Sequence, residues 1–363
     1  MGTTLRQLKT NDSAVRHDES EKALEIDCVE NENQQVPYTQ PQKQGVGVGS
    51  KIKRHCARFW WLHIIIFCII FLIVSLCLVY VAMPKIAQSG VDKTYLELTD
   101  LKFINPTQET LEITQTAILH NPEIFTPTLD AFPVQSYFVV NATGEQLGPM
   151  LEFQFPKTHA LHPTSVNTAA LQECLIEDAD VVNQFVTAVL TQEYVSSSLV
   201  GSTNLHLGAL PVNKINYNTV VTYKGLNGLA GFNVTEARVN LTAATGESNL
   251  KGNAFIPNPS VITVAMGNVT LSLAIAGTNV GNATINDMTL VPGDNNLPMT
   301  AIVDQAALTT AALATGANGY VNLTITGTSA VYNGQQLTYY QEALQDNALA
   351  LRMNVLQIVA DSL

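Results

Sequence analysis

Val269-Thr270-Leu271-Ser272-Leu273-Ala274-Ile275 places Val269, Leu271, Leu273 and Ile275 at every second position. Successive side chains of a strand point to opposite faces, so a period of two marks a β-strand with one face on a core and the other toward water. The pattern recurs in both directions. Val321, Leu323 and Ile325 alternate with Asn322, Thr324 and Thr326, and Leu111/Ile113, Phe153/Phe155 and Leu205/Leu207 repeat it on a shorter scale. Gly, Pro and Asn turns separate these runs, as in antiparallel sandwiches.

Working outward, the strand-rich region divides into two related halves. Leu119-His120-Asn121-Pro122-Glu123-Ile124 matches Ile256-Pro257-Asn258-Pro259-Ser260-Val261, and each Asn-Pro falls after an apolar strand and should open another. Asn204-Leu205-His206-Leu207-Gly208 similarly answers to Val321-Asn322-Leu323-Thr324. The later offset is shorter, which places an extra stretch within 166–200 of the first half. Asp180 to Leu190 has apolar residues at helical spacing and predicts a helix there, with Glu177, Asp178 and Asp180 at its start, where the helix dipole favours negative charge. Asp304–Thr315 is a weaker counterpart. Leu344, Ala348, Leu351, Val355 and Ile358 form a stripe spaced by four and three, which predicts a helix over 341–359.

Upstream of the strands lies Trp60–Ala82, WWLHIIIFCIIFLIVSLCLVYVA, 23 residues without Asp, Glu, Lys or Arg. A helix of that length spans roughly 35 Å, enough for a hydrocarbon core of about 30 Å. Trp60, Trp61 and Tyr80 stand where aromatic rings prefer the interface. Because 58 residues precede Phe59 and the block is longer than a secretory signal core, it reads as a retained anchor. Lys51, Lys53, Arg54 and Arg58 precede it without an acid, which by the positive-inside rule puts the N-terminus in the cytosol and the strands on the lumenal or extracellular side.

Sequons agree with that direction. Asn141, Asn233, Asn240, Asn268, Asn282 and Asn322 all lie beyond the helix as candidate N-glycosylation sites, against a single match before it at Asn11. Charged residues make up only 13% of the chain, and glycans would supply the missing solubility. Residues 84–363 hold 9 Lys/Arg against 22 Asp/Glu, an acidic surface unsuited to nucleic acid. Of five cysteines only Cys174 lies beyond the membrane block, so no disulfide within that region is possible and its core must hold it together. Cys56, beside the membrane, is a palmitoylation candidate. Residues 1–50 are rich in Glu, Gln, Asn, Ser and Lys, cannot bury a core and read as disordered.

At the membrane junction a family resemblance emerges. Arg54-His55-Cys56-Ala57-Arg58-Phe59-Trp60-Trp61 enters the helix and Met83-Pro84-Lys85-Ile86-Ala87-Gln88 leaves it. This arrangement resembles fungal single-pass proteins of the vacuolar membrane implicated in terminating autophagy. The Asn-Pro strand starts resemble the late-embryogenesis-abundant, water-stress type of β-sandwich. The resemblance covers residues 51–363 and implies a vacuolar location, an acidic lumen around the sandwiches and a role in autophagy regulation or vacuolar acidification.

The expected fold is thus mainly β: one N-terminal transmembrane helix, then two tandem antiparallel β-sandwiches of immunoglobulin/fibronectin-like form with a few peripheral helices. The expected layout is a cytosolic tail over 1–50, a basic cluster over 51–58, the helix over 59–83, a first sandwich over 90–228 and a second over 229–363 that ends in a helix.

Catalytic constellations are absent from the sequence. It has no Gly-x-Ser-x-Gly, His-Glu-x-x-His or phosphate loop, so no enzyme, cofactor or metal is expected. His159 and His162 lack a third ligand by spacing. His120, His159, His162 and His206 would all face an acidic lumen, and His206, between apolar neighbours, would destabilise the fold on protonation if buried. The expected partners are the bilayer, a protein on the cytosolic or lumenal side, and lipid. The leading reading is an interaction or regulatory protein of the vacuolar membrane. The alternatives are a lipid-binding or lipid-transfer module, a plasma-membrane protein that reaches the wall and, last because no motif supports it, a lumenal enzyme.

Overall fold

The computed structural model describes residues 48–140, 142–244, 246–314 and 318–363, with side chains from Phe59 onward. Nearly all of the expected tail, the sequon at Asn141 and the side chains of Lys51, Lys53, Arg54, Cys56 and Arg58 lie outside the described residues. The chain divides into two compact units, Met1–Ile65 and Ile66–Leu363. Helix α1 (Val48–Cys77) begins in the first and ends in the second. A π turn over Leu78–Ala82 leads into α2 (Met83–Val91), which carries Pro84 in its first turn. The stretch Phe59–Val91 is the one helix among the described residues long and apolar enough to cross a membrane, which fits a single-pass membrane protein.

The rest is mainly β. After α2 come β1 (Tyr95–Ile104), β2 (Thr110–His120), β3 (Thr128–Leu129), β4 (Phe132–Val139), β5 (Gln146–Phe155), β6 (Thr158–His159) and β7 (Thr164–Leu175). Helix α3 (Ala179–Thr191) precedes β8 (Tyr194–His206) and β9 (Asn213–Lys224). The second half contributes β10 (Asn233–Val239), β11 (Leu250–Asn258), β12 (Ile262–Ile275), β13 (Thr278–Leu290) and β14 (Gly293–Val303). It ends with α4 (Gln305–Ala314), β15 (Tyr320–Tyr332), β16 (Gln335–Gln336), α5 (Thr338–Asp346), β17 (Leu349–Asn354) and α6 (Val355–Ala360).

These strands form two sheets. The larger runs β10-β11-β14-β13-β12-β1-β2-β7, and β15 also pairs with β12 and carries β16 and β17. The smaller runs β5-β4-β8-β3-β6, with β9 on the other edge of β8. In the first half, β1, β2 and β7 face β4, β5, β8 and β9 across a shared apolar core. Strand β9 shows why: Ile215, Tyr217, Thr219, Val221 and Tyr223 are buried, and the residues between them are exposed. The two halves share the larger sheet, because β1 pairs in parallel with β12, Leu101 opposite Ile262 and Phe103 opposite Val264. Strand β12 also meets β13 and β15, and it bends at Gly267, whose φ is +74°. A Cβ there would lie 2.3 Å from the Val331 carbonyl oxygen, so only glycine fits.

The matching Asn-Pro runs fold into matching turns. Asn258 is buried; its Oδ1 accepts the Ser260 N–H at 2.9 Å and its Nδ2 donates to the Ile262 carbonyl at 2.8 Å. Buried Asn121 repeats this with the Glu123 N–H at 3.1 Å and the Phe125 carbonyl at 2.8 Å. Beyond the turns the two halves differ. Ile262 opens β12 and is wholly buried, whereas residues 122–127 form a largely exposed loop and the next strand starts only at Thr128. The expectation that each Asn-Pro opens a strand therefore holds only in the second half. Ile262 enters the centre of a sheet with β1 and β13 on either side, while the chain after Asn121 finds no such slot.

The helix expected over Asp180–Leu190 is α3. Asp178 caps it, accepting the Asp180 and Val181 N–H groups at 3.1 Å each. The continuous helix expected over 341–359 is instead α5, β17 and α6. The open edge of β15 captures the middle of that stretch, pairing Val321 with Met353 and Leu323 with Leu351. Leu351 is buried in the apolar core there, and the Asn354 side chain restarts a helix by accepting the Gln357 N–H at 3.0 Å. Apolar spacing of three and four is satisfied by either outcome, and the free edge decided it.

Replacing Asn258 by Ala would orphan the Ser260 N–H and the Ile262 carbonyl inside the core. At about 1–3 kcal/mol for each orphaned group, the midpoint of denaturant unfolding should fall clearly. An unchanged midpoint would mean that this turn does not stabilise the fold.

Candidate functional site

The junction run Met83–Gln88 is the first turn and a half of α2, and its last residue fixes the helix to the β fold. Strand β9 pairs with β8 along one edge only. On the other edge, the Gln88 side chain accepts the Asn216 N–H at 2.9 Å and donates to the Asn216 carbonyl at 2.8 Å. A single amide thereby acts as one residue of an adjoining strand. Val91 is buried three residues on, and Thr94 Oγ1 donates to the Val91 carbonyl at 2.7 Å, closing the helix end. The chain leaving the membrane is therefore pinned to the first-half sandwich by two backbone bonds and an apolar contact.

Between α2 and the end of that sandwich lies a cavity of about 640 Å³. Its walls are mainly Ile86, Leu119, Phe125, Leu129, Leu205 and Leu207, and they reach back to Met83, the first residue after the 23-residue apolar block. Its polar groups sit at few points. Lys93 pairs with Glu123 at 2.6 Å, and Asn121 donates to the Ala160 carbonyl at 3.0 Å, tying two loops of the mouth together. Farther along the strands, Phe132, Phe155 and Tyr217 close the sandwich interior, their ring centroids 5.3 to 5.6 Å apart. Burial pushes the Tyr217 hydroxyl up to about 12, so it stays neutral. This volume falls in the range of small-molecule sites, roughly 300–1,000 Å³. That is space enough for an acyl chain.

The histidines are dispersed. His120 Nε2 meets Glu97 at 2.9 Å and its ring stacks on Tyr95 at 4.3 Å. His159 bonds Thr128 at 2.9 Å and His162 bonds the Asn121 carbonyl at 3.1 Å, so the two are held apart by different partners. Among the described residues no three His, Cys, Asp or Glu side chains converge as metal ligands. His206 corrects the expectation of a buried, acid-sensitive imidazole. Its side chain is 41% exposed and its Nε2 lies 2.8 Å from Asp130 Oδ2, so it is not buried among its apolar sequence neighbours. Cys174 is buried and its thiol is pushed up to about 11, so it is no reactive nucleophile. Asn233, Asn240, Asn268, Asn282 and Asn322 are all exposed.

In the sequence Gln88 is only the last residue of the junction run, because nothing local reveals a free strand edge. The mouth of the cavity was equally hidden from sequence reasoning. The available signal was the loop Leu207-Gly208-Ala209-Leu210-Pro211-Val212, apolar and without a charge.

Residues 148–273 match a family described as a protein of unknown function, DUF3712. None of the curated proteins matches the chain. Similar solved structures include a protein from Archaeoglobus fulgidus, 12% identical with a TM-score of 0.20, covering 35% of this chain and 96% of that one. Red sea bream transglutaminase is 12% identical with a TM-score of 0.24, covering 71% of this chain and 30% of that one. The periplasmic chaperone SfaE is 11% identical with a TM-score of 0.14, covering 71% and 97%. At such scores these likenesses carry nothing about function.

His206 holds the Asp130 carboxyl below its usual 3.8, chiefly by their hydrogen bond and then by charge attraction. A lowered carboxylate contributes stability above its unfolded value, lost as pH falls through the folded value. His206→Gln should therefore raise the Asp130 titration midpoint toward 3.8 by NMR, and any stability gap from the parent should close below that pH. A variant that becomes more stable than the parent in acid would restore the buried-histidine reading.

Proposed function

We propose that this is a membrane-anchored lipid-binding module that draws one acyl chain out of its own bilayer. The observation that carries the reading is the apolar cavity walled on one side by α2, the direct continuation of the membrane-spanning helix. A chain lifted from the leaflet would pass from hydrocarbon to Met83 and Ile86 and then to Leu119 and Leu205, with little polar surface to cross. The Lys93–Glu123 pair stands where a polar head would remain wetted.

Cellular placement rests on other features. The basic run Lys51–Arg58 and the sequons after the helix support a cytosolic N-terminus. The junction residues support the vacuolar membrane, and with it the reading of an interaction or regulatory protein in autophagy or acidification. Lipid uptake is compatible with that role as the signal it would read.

Leu207→Trp puts an indole into the cavity from a partly exposed position. Lipid that copurifies with the full chain in detergent micelles, counted by mass spectrometry, should fall in the variant, and a fluorescent fatty acid should bind about tenfold more weakly. Equal lipid in parent and variant would sink the reading. An N-terminal fluorescent tag in a fungal cell should outline the vacuole; a peripheral outline would favour the plasma-membrane alternative.

A further inference from the structure

Three loops meet at the mouth of the cavity, and their outermost side chains are apolar. Ile124 is 84% exposed in the loop after β2, Leu161 47% in the loop after β6, and Val212 53% in the loop before β9. None of the three lines the cavity. Single exposed apolar residues are ordinary on a protein surface. Here they come from three separate connections that hydrogen bonds and a common cavity gather at one end. Asn121 Nδ2 bonds the Ala160 carbonyl at 3.0 Å, the Ala160 N–H donates to Pro127 at 2.8 Å and the Asn121 N–H to Pro163 at 2.8 Å. Leu210, from the third loop, shares the cavity wall with Phe125 and Ala160.

We infer that these tips enter the leaflet from which α2 emerges, so that the β fold rests on the bilayer surface instead of standing off it. Two observations select lipid as the occupant. The first is continuity: the same cavity that the loops surround is lined by Met83, Lys85 and Ile86, where the chain leaves the apolar block. The second is charge. Residues 84–363 carry 22 acids, yet the three loops contain only Glu123, and Lys93 neutralises it at 2.6 Å. A surface kept clear of unpaired acid within an acidic domain suits the headgroup boundary, where Lys85 can meet phosphate. In the equivalent turn at Asn258, Val261 packs partly buried against the core, so exposure at Ile124 is a departure from the fold's own repeat.

The test places an environment-sensitive fluorescent amino acid at position 124 of the full chain in phosphatidylcholine nanodiscs. Leu313, 63% exposed on α4, is the control position. Probe emission at 124 should shift to the blue and be quenched at least about twofold more by lipids with a nitroxide near the top of the acyl chain than by iodide in water. Position 313 should show the reverse. Water-like emission and iodide quenching at 124 would overturn the inference, and so would shielding from both quenchers, which would mean a protein covers the loops. Leu207→Trp separates this from the cavity reading. It should weaken fatty-acid binding about tenfold and leave quenching at 124 unchanged, so either claim can fail without the other.

Discussion

The two hydrogen bonds between Gln88 and Asn216 determine what the rest of this architecture can do. A transmembrane helix joined to a flexible linker would leave a β fold free to tumble above its membrane. Here the helix does not end at the interface; it runs on as α2 and offers an amide to the unpaired edge of β9. An open strand edge is a liability that folds must cover, and covering it with the anchor helix solves two problems at once. The strand gains a partner, and the sandwich gains a fixed distance and orientation to the emerging chain. The cavity results from this arrangement, because α2 is one of its walls.

A second constraint is the economy of polar groups. The first half has no disulfide available, and its ion pairs, such as Lys93–Glu123 and Lys157–Asp130, lie at the surface where such pairs contribute about 0–1 kcal/mol each. Cohesion therefore rests on alternating apolar strands and on a few buried asparagines. Asn121 and Asn258 build the same turn from the same atoms, and Asn295 bonds the Ile256 and Val291 carbonyls at 3.2 and 2.8 Å to secure a third. The amide suits this task because it donates and accepts at once without a charge to desolvate. The repeated turn also shows how one local solution serves two ends. In the second half it feeds the central strand β12, and in the first it presents a loop beside the membrane.

Much of this was written in the sequence. Period-two alternation identified the strands around Val269 and Val321, the uncharged block from Trp60 to Ala82 identified the membrane helix, and the acidic start at Asp178–Asp180 marked α3. Each is a local signal, set by side-chain direction or by the cost of a charge in hydrocarbon, and it needs no knowledge of distant residues. The matching Asn-Pro runs likewise disclosed the two matching turns at Asn121 and Asn258.

Tertiary structure alone decided the remainder. Residues 341–359 fit a helical stripe, yet the free edge of β15 drew Leu349–Asn354 into the sheet. His206 sits between apolar neighbours in sequence, yet its side chain turns outward to Asp130, 76 residues away in the chain. Gln88 lies 128 residues from Asn216, and Ile86, Leu119 and Leu205 meet around the cavity only once α2 has docked. Periodicity fixes which face of an element seeks burial, whereas the partner that covers it is chosen by long-range pairing, which no local pattern encodes.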